Sequence, residues 1–525
     1  MKVLLAASEA APIIKLGGLG DVIGSLPKAL QKKGVNTDII VPYFPTAETK
    51  NLKKIYKALE LNVPFDQTTY SVEVFKTQLP ESDVDIFLLR NAHFFAQGGK
   101  SAFANNVTET EMFMFFNKAV VEFIKSQFNT YDLIHCHDWH TGLIPHLLND
   151  EIGKTRPATL FTIHNLMYQG MGDRSLVEEI GFVPGQHPLI DWDLEDGDLN
   201  MMLQGITSSD YINTASKTYA HEIVTKEHGG DFAEILRSRS GRLSGILNGL
   251  DYSMFPRYYD VPEAKKGKLS FKKKLFEKLD FSYDSLEDLE ETPVFGFVGR
   301  LDPGQKGLDI LHEFLKGFPK RFSEEILSQA QDDSTLSFRG NALPAQTGEE
   351  SSEASHEATR FGQDGKSQKP KFVILGVGDP KWEKKLQDLA ASRSDISANI
   401  VFDEALARLI YSASDFLLVP SRYEPCGLSQ MIAMWYGSLP IVRAVGGLKD
   451  SVKPGVTGFV FDDYSSEALF SSVEKALRVF DDKDRLRTMR KNAMREDFSW
   501  ERSAGEYKEL YERVVKMRGF ARDLG

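Results

Sequence analysis

One stretch constrains the fold of this chain more than any other: FLLVPSRYEPCGLSQMIAMWYGSLPIVRAVGGLKD, residues 416–450. An apolar β-type run, Phe416 to Val419, precedes a polar turn from Pro420 to Pro425 and a Cys-Gly-Leu entry into a helix. A second short strand, Leu439 to Val442, leads into another turn and Gly446-Gly447-Leu448. Strand, loop and helix N-terminus in repetition is how α/β folds build anion sites. Ligands lie beyond the carboxyl ends of parallel strands, where free N–H groups of the next helix point at them. Glu424 stands at the mouth of the first such turn.

The chain opens the same way. A strand from Lys2 is followed by a loop, by Gly17-Gly18-Leu19-Gly20-Asp21, and by a helix whose Leu19, Val22, Ile23, Leu26, Ala29 and Leu30 recur with a 3.6-residue rhythm. Further strands are predicted at Asp38–Val41, Val84–Leu89, Leu133–Cys136, Thr159–Ile163 and Tyr211–Thr214, with helices such as Glu109–Lys125 and Ser216–Thr225 between them. A second series comprises Val294–Val298, Phe372–Gly376, Asn399–Phe402, Phe416–Val419 and Leu439–Val442. This alternation predicts an α/β fold with doubly wound, mostly parallel sheets. A chain of 525 residues is too long for one compact core. The expected division is an N-terminal Rossmann-like domain over 1–251, a charged, strand-poor linker with a helix or two over 252–292, and a C-terminal Rossmann-like domain over 293–499. Residues 500–525 read as an amphipathic helix with Trp500, Ala504, Tyr507, Leu510, Tyr511, Val514 and Val515 on one face. Within the second domain, residues 328–369 (GEESSEASHEATRFGQDGKSQ at their centre) are too polar to order themselves by burial and read as a mobile surface insertion.

Charge and composition exclude several classes. The net charge of −12 argues against nucleic acid or an anionic membrane as partner. The two cysteines, Cys136 and Cys426, are far apart in apolar neighbourhoods, which fits a reducing compartment and argues against disulfides or a zinc ribbon. No apolar run reaches the roughly 18–20 residues that span a bilayer. No leader precedes the first strand, so a cytoplasmic protein is expected. Oligomeric state is left open.

Several residues could carry chemistry. Lys15, beside Gly17-Gly18, is either a phosphate contact reinforced by a helix dipole or a solvated lysine at a tight turn. Arg300 and Lys306 in GFVGRLDPGQKG are either a phosphate clamp or a solvated basic turn. His135, His137 and His140 surround Asp138 and Trp139, and no carboxylate pair completes a metal site there. A polar and aromatic rim for a sugar is the more natural reading. His164 ends another strand and either faces the same crevice or is a structural histidine. Glu424 could act as acid or base, bind a sugar hydroxyl, or serve as a helix N-terminal charge. Cys426 has no suitably spaced His–Asp pair to make it a nucleophile. Asp83-Val84-Asp85 reads as a solvated surface turn.

KLGGLGDV, HDWHTGLIP, TIHNLMYQG, the QKGLDIL run after GRL, and PSRYEPCGLSQMIAMWYGSLPIVR resemble the bacterial glycogen synthases and plant starch synthases over nearly the whole chain. These are retaining glucosyltransferases of GT-B architecture. The resemblance implies two Rossmann-like domains facing a deep cleft, and transfer of glucose from ADP-glucose to the non-reducing end of glycogen or another α-1,4-glucan, with no metal or other cofactor. It implies that Lys15 contacts the donor diphosphate, that Gly18 approaches the glucose and diphosphate, and that Asp21 stands near the donor. His164 would bind the glucose near its anomeric carbon. Arg300 and Lys306 would stabilise the departing diphosphate, and Glu424 would hold or polarise the sugar. The backbone amides of Cys426, Gly427 and Leu428 would receive hydroxyls or phosphates, and Asp138 and Trp139 would face the acceptor glucan. The sequence departs from the family pattern in places. Arg300 and Lys306 stand one residue further apart than usual, so their loop must bulge. Leu203 stands where the family has a lysine, Val445 where a threonine is usual, and Glu109 and Met112 where it has an asparagine and an arginine. Two rival readings follow: a related GT-B glucosyltransferase with another donor or acceptor, and a glucan-binding regulatory protein that has lost turnover.

Overall fold

The computed structural model describes all residues except 16, 50, 51, 53, 96–106, 128, 184, 319, 322–368 and 524–525. The 328–369 insertion, apart from its last residue, therefore lies outside the described residues. The chain divides into two compact units, Met1–Tyr252 with Asp497–Gly525, and Ser253–Glu496.

Unit 1 is built on β1 (Lys2–Ala6), β2 (Asn36–Pro42), β3 (Tyr56–Phe65), β4 (Thr68–Gln78), β5 (Asp85–Arg90), β6 (Leu133–His137), β7 (Ala158–Ile163), β8 (Met171–Asp173), β9 (Asp198–Asn200), β10 (Tyr211–Thr214) and β11 (Leu243–Gly245). Nine of these form one sheet in the order β11-β10-β7-β6-β1-β2-β5-β4-β3, and β8 pairs with β9. The central strands are parallel and buried along their length, as a sheet covered on both faces requires. The antiparallel hairpin β3–β4 has no counterpart among the sequence expectations. It is an edge hairpin with only one face buried, through Leu61, Val63 and Phe65. Its turn, Asp66-Gln67 with φ of 45° and 54°, carries no glycine to announce it.

The helix Trp500–Asp523 belongs to unit 1, and its expected apolar face is buried: Ala504, Tyr507, Tyr511 and Val514 have no exposed surface. Tyr511 Oη lies 2.8 Å from His135 Nδ1, and Asn213 Nδ2 donates to Tyr507 Oη at 3.2 Å. The parallel course of chain entry and exit is fixed by the Leu250 N–H, which donates to the Phe498 carbonyl at 2.6 Å.

Unit 2 contains β12 (Val294–Val298), β13 (Lys371–Leu375), β14 (Ile396–Asn399), β15 (Phe416–Val419), β16 (Leu439–Arg443) and β17 (Phe459–Phe461), all parallel in the order β14-β13-β12-β15-β16-β17. β14 ends where sequence reasoning starts it. The apolar letters after Asn399 lie beyond the strand, and Phe402 is 80% exposed. The expected linker over 252–292 is not a linker. Its helix Ala264–Lys278 packs on the helix Glu404–Ala413 through Leu275 and Phe276, both fully buried. The charged composition misleads because lysine stems bury while their amines find oxygens. Lys268 Nζ donates to the carbonyls of Ser414 and Ser412 at 2.5 and 3.2 Å and to Ser438 Oγ at 2.9 Å. Lys272 Nζ pairs with Asp415 at 2.8 Å.

In each sheet, chain order reverses beside the first strand of the unit: at β1 between β6 and β2, and at β12 between β13 and β15. Such switch points open crevices at the strands' carboxyl ends. Among the described residues no helix is long and apolar enough to cross a membrane.

Candidate active site

In unit 2 the loops after β12 and β15 meet at the switch point. Gly307 has φ of +67°, and a Cβ there would lie 2.0 Å from the Pro420 carbonyl oxygen, so only glycine permits this approach. The Arg422 N–H donates to the Gln305 carbonyl at 2.8 Å, tying the loops again. Asp302 closes the turn of the first loop. Its carboxylate accepts from the Gly304 N–H at 2.9 Å and its carbonyl from the Lys306 N–H at 2.8 Å. This is the bulge that the longer Arg300-to-Lys306 spacing requires. The side chains then form one chain of contacts. Arg300 Nη2 donates to Gln305 Oε1 at 3.0 Å, and Gln305 Nε2 reaches Glu424 Oε1 at 3.4 Å. Lys306 Nζ pairs with Glu424 Oε2 at 2.6 Å, and Ser421 Oγ donates to the same oxygen at 2.9 Å. Glu424, Gln305 and Ser421 are all buried. Glu424 is thus an ion-paired carboxylate fixed among donors. Gln305 and Ser421 were not singled out in the sequence, since no spacing rule brings them to Glu424.

The loop leading on from Glu424 is anchored from below. Gln430 Nε2 donates to the carbonyls of Cys426 and Gly427 at 3.2 and 2.8 Å and to Ser451 Oγ at 3.0 Å. Cys426 is buried, forms no disulfide, and its thiol donates to the Gly427 carbonyl at 3.6 Å.

In unit 1 the carboxyl ends of β1, β6 and β7 lie side by side and bring together Glu9, the helix Gly18–Lys32, His137, Asp138 and His164. Glu9, buried in the loop after β1, accepts from the Gly17 N–H at 2.8 Å, so a carboxylate already occupies part of this helix N-terminus. Sequence reasoning passed over it. A Cβ on Gly20 would meet Glu9 at 3.0 Å, but one on Gly18 would meet nothing within 4 Å. Packing therefore does not explain glycine at 18, which is exposed. Lys15 Nζ pairs with Asp21 at 2.8 Å, both partly exposed.

His164 Nε2 lies 3.0 Å from His137 Nδ1, with the rings stacked. His137 is fully buried and its Nε2 has no partner. A bare ring nitrogen is cheaper to bury than an unmatched N–H, which favours His137 Nδ1–H as donor and leaves the proton of His164 on Nδ1. Burial holds His164 down to about 4, so it is neutral at pH 7. His135 is a core residue, bound to Thr162 Oγ1 at 2.7 Å and to Tyr511. Among the described residues no group of three or more His, Cys, Asp or Glu side chains could hold a metal ion.

The expected acceptor-facing position of Trp139 needs correction. Trp139 is buried, stacked on His140 with centroids 4.1 Å apart, edge-on to Phe113, and pressed against Gly170, where a Cβ would fall 2.0 Å from Trp139 Cε3. It cannot serve as an open sugar platform. Asp138 sits at φ 56° and ψ 179°, a region costly for a non-glycine residue. Its carboxylate accepts from the N–H of His164 at 2.7 Å and of Asn165 at 3.4 Å. Burial, with Glu9 adding repulsion, pushes this carboxyl up to about 7. Asp138 thus positions the His164 backbone. Leu203 and Met112 are buried in the helices Met201–Ser208 and Glu109–Ser126.

Comparison with known proteins gives consistent results. The family model for the starch synthase catalytic domain matches residues 2–238, and that for group 1 glycosyl transferases matches residues 356–496. The chain is 35% identical over 541 residues to a glycogen synthase of Geotalea daltonii, covering 99% of this chain and 100% of that one. It is 36% identical over 542 residues to a glycogen synthase of Geotalea uraniireducens, with the same coverage. Among solved structures, the catalytic domain of starch synthase IV from Arabidopsis thaliana, bound to ADP and acarbose, superposes with a TM-score of 0.77 at 27% identity, covering 98% of this chain and 99% of that one. A sucrose-phosphate synthase from Thermosynechococcus elongatus shares the fold, with a TM-score of 0.54 at 17% identity and the same coverage.

Proposed function

We propose that this chain, which belongs to the glycogen synthase family of GT-B glycosyltransferases, transfers glucose from ADP-glucose to the non-reducing end of an α-1,4-glucan with retention at the anomeric carbon. The observation that carries this reading is the Arg300–Gln305–Glu424–Lys306 network at the unit 2 switch point, with Gln305 and Glu424 buried at its centre. ADP as the leaving group is supported by the ADP in the starch synthase IV structure.

Breaking a glycosyl–phosphate bond leaves an oxocarbenium-like centre and a diphosphate gaining charge. Fixed cations aimed at that charge are the expected catalyst. Arg300 and Lys306 take that role, and we assign no metal to it. Glu424 holds Lys306 in place. Its Oε1, which has only the long contact from Gln305, retains lone pairs for a sugar hydroxyl. The amides of Cys426, Gly427 and Leu428 receive phosphate or hydroxyl oxygens. In unit 1, Lys15, Gly18 and Asp21 are assigned to the donor. His164, neutral and with its proton on Nδ1, donates to the glucose near its anomeric carbon. Asp138 acts on the acceptor side by holding the loop after β7, and Trp139 supports that loop from within. We assign no carboxylate as a covalent nucleophile, so the acceptor 4-OH attacks on the face the diphosphate leaves. The C1–O bond to phosphate breaks as the C1–O4 bond forms, and the acceptor proton passes to the departing phosphate.

The test is transfer of labelled glucose to glycogen from ADP-glucose and UDP-glucose, with the product linkage and anomer read by NMR. ADP release with α-1,4 product is expected, and Arg300→Ala is expected to abolish turnover in a folded protein. Transfer that prefers UDP-glucose, or to a non-glucan acceptor, replaces this reading with another GT-B glucosyltransferase. Glycogen binding without transfer from either donor replaces it with the regulatory one.

A further inference from the structure

At the opposite end of the unit 2 sheet, away from the Arg300 and Glu424 loops, lies a cavity of about 370 Å³. Its floor is the amino end of the central strands. Asp415, just before β15, accepts from the Val294 N–H at 3.0 Å, and Lys272 Nζ donates to the Thr292 carbonyl at 2.8 Å. One wall is the helix Ala264–Lys278. The other is formed by Phe480 and the helix Lys483–Ala493 with the residues just after it.

The lining is strongly cationic for a chain of net charge −12: eight basic side chains against two acidic ones. The two carboxylates do not balance it. Asp415 is shared between Lys272 at 2.8 Å and Arg490 at 2.5 Å, and Glu290 pairs with Lys265 at 2.6 Å. Lys268 is held only by neutral oxygens, with burial lowering its pKa well below the ordinary lysine value, and Lys483 pairs at 2.8 Å with Glu291, outside the lining. Arg487 has only the highly exposed Asp484, and Lys491 and Arg495 make no ion pair among the described residues. Concentrated positive charge with arginine forks suits phosphate oxygens, and a low-dielectric wall strengthens the attraction. The apolar part of the lining, Leu269, Phe480 and Leu486, suits a carbon skeleton rather than a bare ion. The volume lies in the range of small-molecule sites, roughly 300–1,000 Å³.

We infer that this cavity binds a small organic phosphate, at a site separate from the donor site and independent of the transferase reading. Titration calorimetry of the full chain at low salt, with ribose 5-phosphate and inorganic phosphate as probes, tests it. Expected are one saturable site with a Kd below about 1 mM for ribose 5-phosphate, at least about tenfold weaker binding of inorganic phosphate, and weakening as salt is raised. The exposed pair Arg487→Ala/Arg495→Ala should weaken ribose 5-phosphate about tenfold or more without lowering the thermal stability of the free protein. Lys306→Ala should leave this binding unchanged. Absence of saturable binding, equal affinity for inorganic phosphate, or loss of binding in Lys306→Ala but not in the double variant would each overturn the proposal.

Discussion

Replacing Lys306 with alanine separates what the unit 2 network does for folding from what it does for chemistry. Lys306 and Glu424 side chains are 18% and 7% exposed and meet at 2.6 Å. Removing one member of a buried pair costs about 3–5 kcal/mol, because the remaining charge is stranded. Glu424 would keep Ser421 at 2.9 Å and Gln305 at 3.4 Å, which lowers the expectation to about 2–3 kcal/mol. Glu424→Gln removes the stranded charge. The double variant should therefore be more stable than the sum of the single losses allows, with a coupling of about 1–2 kcal/mol. Turnover should behave otherwise. Loss of one cation aimed at the leaving group costs about 10²–10³ in kcat, and the second substitution cannot restore it. Denaturant titration of the four proteins and steady-state transfer from ADP-glucose measure both. Additive stabilities would refute the coupled pair, and a kcat within tenfold of wild type for Lys306→Ala would refute the clamp.

Other predictions follow from the same geometry. Asp138, raised to about 7, stabilises the fold fully only below its ordinary value of 3.8 and loses that contribution as pH rises through 7. Relative to wild type, Asp138→Asn should gain about 1–3 kcal/mol between pH 5 and pH 8, by thermal unfolding at each pH; a pH-independent difference would contradict the buried carboxyl. Trp139→Ala should cost about 3–5 kcal/mol, and equal stability with a selectively raised acceptor KM would return Trp139 to the sugar. Gly307→Ala, at positive φ and against the Pro420 carbonyl, should lose about 2 kcal/mol or more together with most activity. Transfer should survive dialysis against EDTA, and loss restored by a divalent ion would reject the cation-only reading.

The parts of the fold legible in the sequence are those where a single local rule decides. β12 and β15 coincide with short apolar runs, and the helix after Gly17 follows its 3.6-residue rhythm. The β3–β4 hairpin escaped because an edge pair buries only alternate residues, and the 252–292 segment was misread because buried lysines look like solvent charges. At the site, the glycine loops placed Arg300, Lys306 and Glu424 on adjacent strand ends. Whether a side chain points into a crevice or the core depends on partners remote in sequence. Trp139 is turned inward by Phe113 and Gly170, and Glu424 gains Gln305 from a loop more than a hundred residues earlier.

The chain leaves unit 1 at Tyr252 and re-enters it at Asp497, and the returning helix supplies Tyr507 and Tyr511 to groups buried in β10 and β6. During synthesis, then, the half begun first is finished last: its interior stays open while some 240 intervening residues emerge and can already fold as a self-contained body. Cutting the polypeptide after residue 496 would strand that half unfinished, whereas a short splice from 252 to 497 would preserve everything it needs.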